Sequence, residues 1–196
     1  MSIYSRIMAR PLSEDRRSAL LEAAAAVFAE HGLQAPTALI SKTAKVSEGS
    51  FFTYFKTKDE LIAALYQRLR LDLASAVMGG FPSRGSIRER LEHVWTGYVS
   101  WGAANPVERR ALRHVTMSKA IGPAVRAESG VLFAEVERLH QDAIDQRKMR
   151  ELPPSMASQA LKAFAEMTMD LIERDPKRQK EYMAAGFQML WGALAR

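Results

Sequence analysis

The chain has 196 residues, 47% of them hydrophobic and 26% charged, a globular composition that excludes disordered and fibrous classes. It contains no cysteine, which removes disulfides, thiol catalysis and thiolate metal sites. Lys and Arg outnumber Asp and Glu by 28 to 22, but the excess is spread: residues 1–78 hold 10 basic and 8 acidic side chains, and residues 79–196 hold 18 and 14. Bulk charge therefore locates no nucleic-acid site. No stretch approaches the roughly 18 unbroken apolar residues of a membrane span. The start, MSIYSRIMARPLSEDRR, is too polar for a signal-peptide core, so a cytoplasmic chain without a membrane partner is expected.

Helical periodicity runs through the chain. Leu20, Leu21, Ala24, Val27 and Phe28 share one face, Ser13 offers an N-cap with Glu14 and Asp15 behind it, and Gly32 offers a stop. These signals predict a first helix over about 13–31. Thr37 can cap a short second helix to about Ala44, with Ile40 and Ala44 inward. Lys45-Val46-Ser47 breaks it, and Ser47 can cap a third, from Glu48 to about Phe55. A longer fourth helix follows Lys56-Thr57-Lys58 and runs to about Met78, with Leu61, Leu65 and Leu69 in step. The Gly79–Gly85 stretch, GGFPSRG, is the strongest breaker cluster and the expected domain boundary, dividing 13–78 from 79–196.

Five more helices are predicted beyond it. Ile87, Leu91, Val94, Tyr98 and Trp101 form one stripe, ended by Asn105-Pro106, which opens another helix to about Lys119. Gly122-Pro123 starts a long one carrying Val125, Leu132, Val136, Leu139 and Ala143. Pro153-Pro154-Ser155 starts the eighth, with Leu161, Phe164, Thr168 and Leu171. Asp175-Pro176 is a cap-plus-first-turn signal for the ninth. With no alternating strand pattern and no repeat, the fold class is all-α with about nine helices.

Catalytic signals are sparse. The chain has no nucleophile elbow, phosphate-cradling loop, HExxH or dinucleotide fingerprint, so no catalytic residue, metal site or cofactor is assigned. His31, His93, His114 and His140 never fall three or four apart, the spacing that puts two imidazoles on one helix face.

The informative segment is PTALISKTAKVSEGSFFTYF, residues 36–55. Two short helices, a three-residue turn and a small residue (Ala44) before the turn are the ingredients of a helix-turn-helix, whose second helix lies in the major groove. On that reading Ser47, Glu48, Gly49 and Ser50 reach base edges, and Lys45 in the turn meets phosphate. Thr53 and Tyr54 follow one turn later, and Lys58 opens a helix whose N-terminus favours an anion. Residues 34–58 add Lys42 and Lys56 against a single acid, Glu48. The rival reading is a pair of connecting helices in a bundle. Phe51 and Phe55 are core either way, so Phe52 and Tyr54 discriminate.

The N-terminal region resembles the DNA-binding domain of the TetR family of bacterial transcription regulators. The matching residues are Ala23, Ala24, Phe28 and Glu30-His31-Gly32, then Thr37, Ile40 and Ala44, then VSEGSFF at 46–52, and finally Tyr54, Phe55, Lys58 and Leu61. The resemblance covers about residues 13–65 and implies three DNA-binding helices followed by about six in a regulatory domain. It places Thr37, Ser47, Ser50, Tyr54 and Lys58 on positions that commonly touch DNA. Two departures stand out: Lys45 occupies a turn position usually held by Gly, and the loop from Gly32 to Ile40 is one residue short, with Pro36 in place of a common Thr or Ser. Arg6 and Arg10 could form a minor-groove arm.

The resemblance also implies an effector-binding and dimerising second domain. Trp95, Tyr98, Trp101, Met117, Phe133, Phe164 and Met167 are candidates for an apolar pocket, with His114 and Glu166 as polar groups. Ordinary core packing is the rival reading of the same stripes. The bias suits a hydrophobic or aromatic effector. The last two helices have wide apolar faces, and Leu161, Leu171, Met183, Phe187, Leu190 and Trp191 are the expected homodimer surface. A two-fold dimer implies a pseudo-palindromic duplex operator. The expected function is a ligand-responsive repressor. The alternatives are an all-α enzyme using a C-terminal cavity, or a protein-binding adaptor.

Overall fold

The computed structural model describes residues 3–153 and 155–196, with side chains from Glu14 onward. Among the described residues there are ten α-helices, one 3₁₀ turn and a single isolated β-bridge between Met149 and Ala195. The helices are α1 (Ile3–His31), α2 (Thr37–Thr43), α3 (Glu48–Tyr54), α4 (Lys58–Met78) and α5 (Ile87–Ala104). They continue with α6 (Pro106–Thr116), α7 (Pro123–Val131), α8 (Ala134–Asp145), α9 (Met156–Arg174) and α10 (Gln179–Leu194), the last entered through the 3₁₀ turn Pro176–Arg178. The all-α class expected from periodicity is the class observed.

Several boundaries differ from expectation. Helix α1 begins at Ile3, so Ser13 lies inside it and is not its cap. The side chains of Arg6, Arg10 and Ser13 lie outside the described residues. The long helix predicted from Gly122-Pro123 is two helices. Phe133 leaves helical geometry at φ −116°, ψ 21°, and its N–H turns back to Gly130 O at 2.9 Å. A glycine inside a helix is entropically costly, and that weakness lies just before the break. Helix α6 ends at Thr116, short of Lys119, where Met117 N and Ser118 N turn back to His114 O and Val115 O.

The chain divides into two compact units. The first comprises the residues up to Arg70 together with Val107–Ala127; the second comprises Leu71–Pro106 and Glu128–Arg196. The breaker run at 79–85 therefore lies within the second unit, and α6 belongs with the first.

The core of the first unit is built from Leu20, Ala24 and Phe28 of α1, Ile40 of α2, Phe51 in the middle of α3 and Phe55 just past its end, and Leu61, Leu65 and Leu69 of α4. Ala111 and Val115 of α6, with Ile121 beyond it, complete the same cluster. Gly32 ends α1 with φ +69°, a conformation glycine adopts without a Cβ penalty, and its N–H bonds Phe28 O at 3.0 Å. Its α-carbon faces the His114 imidazole of α6, about 4 Å from where a Cβ would stand.

The second unit is organised around Trp95 of α5, which is buried against α9 and α10. Its indole N–H donates to Met183 O at 3.0 Å. The close approach requires Gly186: a Cβ there would stand 2.3 Å from Thr168 Oγ1 and 2.7 Å from Trp95 Cζ2. Thr168 turns its own hydroxyl to Phe164 O. Arg90, 6% exposed, donates to Asp142 of α8 at 2.6 Å and lies over the Phe81 ring. Ser86 caps α5 in a reciprocal box: Ser86 Oγ accepts from Glu89 N, and Glu89 Oε2 accepts from Ser86 N at 2.8 Å. The Ser86 N–H, then its hydroxyl, hold the Glu89 carboxyl below the usual carboxylate range.

Candidate nucleic-acid interface

Helix α2 ends in a Schellman turn. Val46 N donates to Ser41 O at 3.0 Å and Lys45 N to Lys42 O at 3.1 Å, with Lys45 in the left-handed region at φ +58°. This is the position where glycine is usual. A lysine there costs about 1 kcal/mol and leaves an exposed ammonium-bearing side chain at the turn.

Ser47 then caps α3, its Oγ accepting from Ser50 N at 3.2 Å and lying 2.9 Å from Ser50 Oγ. Phe51 and Phe55 bury completely, tying α3 to the core, and Tyr54 packs half-buried against the same cluster. This anchoring leaves Ser47, Glu48, Gly49 and Thr53 exposed. The Thr53 hydroxyl donates back to Gly49 O at 3.1 Å. Only Ser47 Oγ, at 4.0 Å, lies near the missing Cβ of Gly49, so another molecule can come close there. The discriminating pair separates: Phe52 is 47% exposed, whereas Tyr54 is half-buried.

Helix α4 starts beside α3. Thr57 Oγ1 accepts from Glu60 N, and Glu60 Oε2 accepts from Lys56 N at 2.7 Å, which fixes the turn carrying Lys56 and Lys58. Lys58 is half-buried in the first turn of α4. The Lys56 ammonium donates to Phe52 O at 3.3 Å, closing the C-terminal end of α3. Lys56 is an exposed cation of this surface that sequence reasoning counts only in the local charge. Its signal is the run Lys56-Thr57-Lys58 itself. Thr37 is the first residue of α2 rather than its cap; Pro36 holds the cap position with no side-chain bond, because it has no polar side-chain atom to offer.

The expected effector residues fall in both units. Trp95, Tyr98, Trp101, Phe133, Phe164, Glu166 and Met167 belong to the second, whereas His114 and Met117 belong to the first. Trp95 and Trp101 are buried, Tyr98, Phe133 and Phe164 half-buried, and Met167 exposed. Met117, at the end of α6, is 82% exposed. A recess of about 350 Å³ within the first unit is lined by Ala26, Ala29 and Glu30 of α1 and by Val107 and Arg110 of α6. Among the expected dimer residues, Phe187 and Leu190 are buried in this chain's own core, and Leu161, Leu171, Met183 and Trp191 are half-buried. The outward stripe of α10 is instead Ala184, Ala185, Gln188, Met189, Gly192 and Ala193. Among the described residues no group of three or more His, Asp or Glu could hold a metal ion, and no helix is long and apolar enough to cross a membrane.

Residues 20–65 match the family model described as bacterial regulatory proteins, tetR family. A 59-residue segment is 39% identical to the HTH-type transcriptional regulator YhgD of Bacillus subtilis (strain 168), spanning 30% of this chain and 31% of that relative. Among solved structures, a TetR family transcription regulator from Marinobacter aquaeolei VT8 superposes with a TM-score of 0.81 at 22% identity, over 95% of this chain and 98% of that one. The TetR-like regulator LfrR of Mycobacterium smegmatis, solved in complex with proflavine, gives 0.66 at 18% identity, over 93% and 98%. These likenesses extend the shared fold along nearly the whole chain.

Proposed function

We propose, on the premise of the match between residues 20–65 and the tetR family model, that the chain is a tetR-family, sequence-specific DNA-binding transcription regulator of the cytoplasm. The observation that carries the reading is the two-sidedness of α3. Its inward face is sealed by Phe51 and Phe55, and its outward face offers Ser47, Glu48, Gly49 and Thr53 with Lys45 and Lys58 on the flanking turns. Short polar side chains suit base edges in a groove, and lysines suit phosphates. Ser50, Tyr54 and Thr37 complete the contacting set.

The protein acts on this reading as a homodimer, two copies of α3 reading half-sites of a pseudo-palindromic operator roughly 34–36 Å apart. The pairing surface is the outward face of α10, with Met189 50% exposed among small residues, and the exposed Ala163 of α9. Small side chains let two helices approach closely across a two-fold axis. The regulator is read as a repressor that releases its operator when a small apolar or aromatic effector binds in the second unit, among Tyr98, Trp101, Phe133, Phe164 and Met167. The proflavine complex of LfrR supports an aromatic ligand. The response comes from a population shift, which requires the effector to favour the released state. Helix α4 is the natural transmitter, since Lys58–Arg70 belong to the first unit and Leu71–Met78 to the second.

The test is selection of bound duplexes from a random pool by the purified protein at near-physiological salt. An enriched two-fold-symmetric site is the expected result. If nothing is enriched, both before and after denaturation and refolding to strip any bound effector, the reading fails.

A further inference from the structure

One residue on the outward face of α3 is out of keeping with its neighbours. Glu48, Gly49, Phe52, Thr53 and Lys56 recur on one side of the helix and its exit, and all are exposed. Four of them are small, polar or charged. Phe52 leaves nearly half of an aromatic side chain in water, forfeiting burial that Phe51 and Phe55 obtain in full.

The ring is nonetheless held. It stands edge-on to Phe51, with centroids 5.1 Å apart and planes at 78°, and its backbone carbonyl is occupied by the Lys56 ammonium. Beside it, Thr53 donates its hydroxyl back to Gly49 O, which uses its one donor and leaves the methyl beside an oxygen that can only accept. One turn earlier, Gly49 leaves open space. The result is a small apolar platform fixed in position, next to a gap, with the Lys56 ammonium beside it. A polyanion bearing an isolated apolar group is the complementary partner. In duplex DNA that group is the thymine C5-methyl, the one apolar feature that the major groove displays and one that Phe and the Thr methyl suit.

We propose that Phe52, backed by Thr53, is a specificity-determining residue that reads a thymine C5-methyl in each operator half-site. The proposal rests on the DNA-binding reading above, and its test separates the two. With the selected operator, each thymine is replaced in turn, symmetrically in both half-sites, by uracil, which deletes the methyl and keeps the base pair. Affinities at fixed salt are compared for the native protein and Phe52→Ala, whose fold is checked by its denaturant midpoint.

Loss of one methyl contact corresponds to about fourfold per half-site, so one symmetric pair of thymines should weaken native binding by about 16-fold when replaced. Phe52→Ala should bind the native operator more weakly and lose its response to that pair, while keeping its response to any other sensitive thymine. If Phe52→Ala discriminates thymine from uracil at every position as the native protein does, the proposal is overturned with DNA binding intact. If no thymine position is sensitive in the native protein, it is overturned as well. Failure to select any operator overturns the DNA-binding reading and this proposal together.

Discussion

Two helices of this chain stop in the same way, one in each unit. Helix α2 closes on Lys45 at φ +58°, and α8 closes on Arg147 at φ +54°. Both turns carry the paired Schellman bonds: Val46 N to Ser41 O and Lys45 N to Lys42 O in the first, Lys148 N to Ala143 O and Arg147 N to Ile144 O in the second. The two turns lead to different places. After Lys45 comes the capped start of α3 and its outward face. After Arg147 comes a short segment that pairs with the chain's end, Arg150 N donating to Leu194 O and Arg196 N to Lys148 O. One backbone device, strained by a cation where glycine fits best, presents a surface in one unit and fastens a terminus in the other. The strain is common to both; the proposed role in recognition belongs to Lys45 alone.

The largest effects should come from the cores that hold these turns. Phe51→Ala removes the ring seating α3 just after the Lys45 turn, and should cost about 3–5 kcal/mol in denaturant unfolding; a loss under about 1 kcal/mol, the usual worth of a helix cap, would mean that α3 is held by its caps instead. Gly186→Val is the counterpart in the second unit, forcing a Cβ against Thr168 and Trp95. Overpacking of this kind typically costs about 1–3 kcal/mol, and a Trp-fluorescence shift should report the displaced indole.

Lys45→Gly and Arg147→Gly tell the two turns apart. Each should raise stability by about 1 kcal/mol through relief of left-handed strain. Only Lys45→Gly should weaken DNA binding, lowering the salt slope by about 1 for each phosphate that is no longer neutralised. Equal slopes for the two variants would remove Lys45 from the interface.

The smallest effect concerns pH. Glu89 is held below its ordinary pKa by Ser86, so its contribution is fully present above the unfolded carboxylate range and fades as pH falls through the lowered folded value. The stability difference between the native protein and Glu89→Gln should therefore shrink on acidification below about pH 4.5. A difference that grows instead would reverse the sign of this linkage.

The features legible in the sequence are local in origin. The Ser47 cap, the inward pair Phe51 and Phe55, the turn at Lys45 and the bounds of α3 each depend on residues a few positions apart, and spacing displays such relations directly. The break at Phe133 is hidden because Leu132, Val136 and Leu139 keep helical step across it. The Trp95–Gly186 contact joins residues that are neighbours only after three helices have packed, and a glycine inside an apolar helix does not announce what fills its space. The outward stripe of α10 differs from expectation for a related reason. Its large residues, Phe187 and Leu190, are consumed by the chain's own core, which leaves alanines and Met189 outside. The partition of α6 is not legible either: Ala111 and Val115 fit many cores, and only packing assigns them to the first unit.

That assignment bears on the order in which the molecule is made. Synthesis delivers α1 to α4 first, yet the cluster they form is closed by Ala111, Val115 and Ile121, which emerge only after residues 71–106 have been translated. The earlier-made segment therefore waits on a later one to complete its core. While residues 71–106 are being made, the cluster lacks Ala111, Val115 and Ile121. Such an interval exposes apolar surface to chaperones and aggregation, and slower translation between codons 71 and 121 would lengthen it.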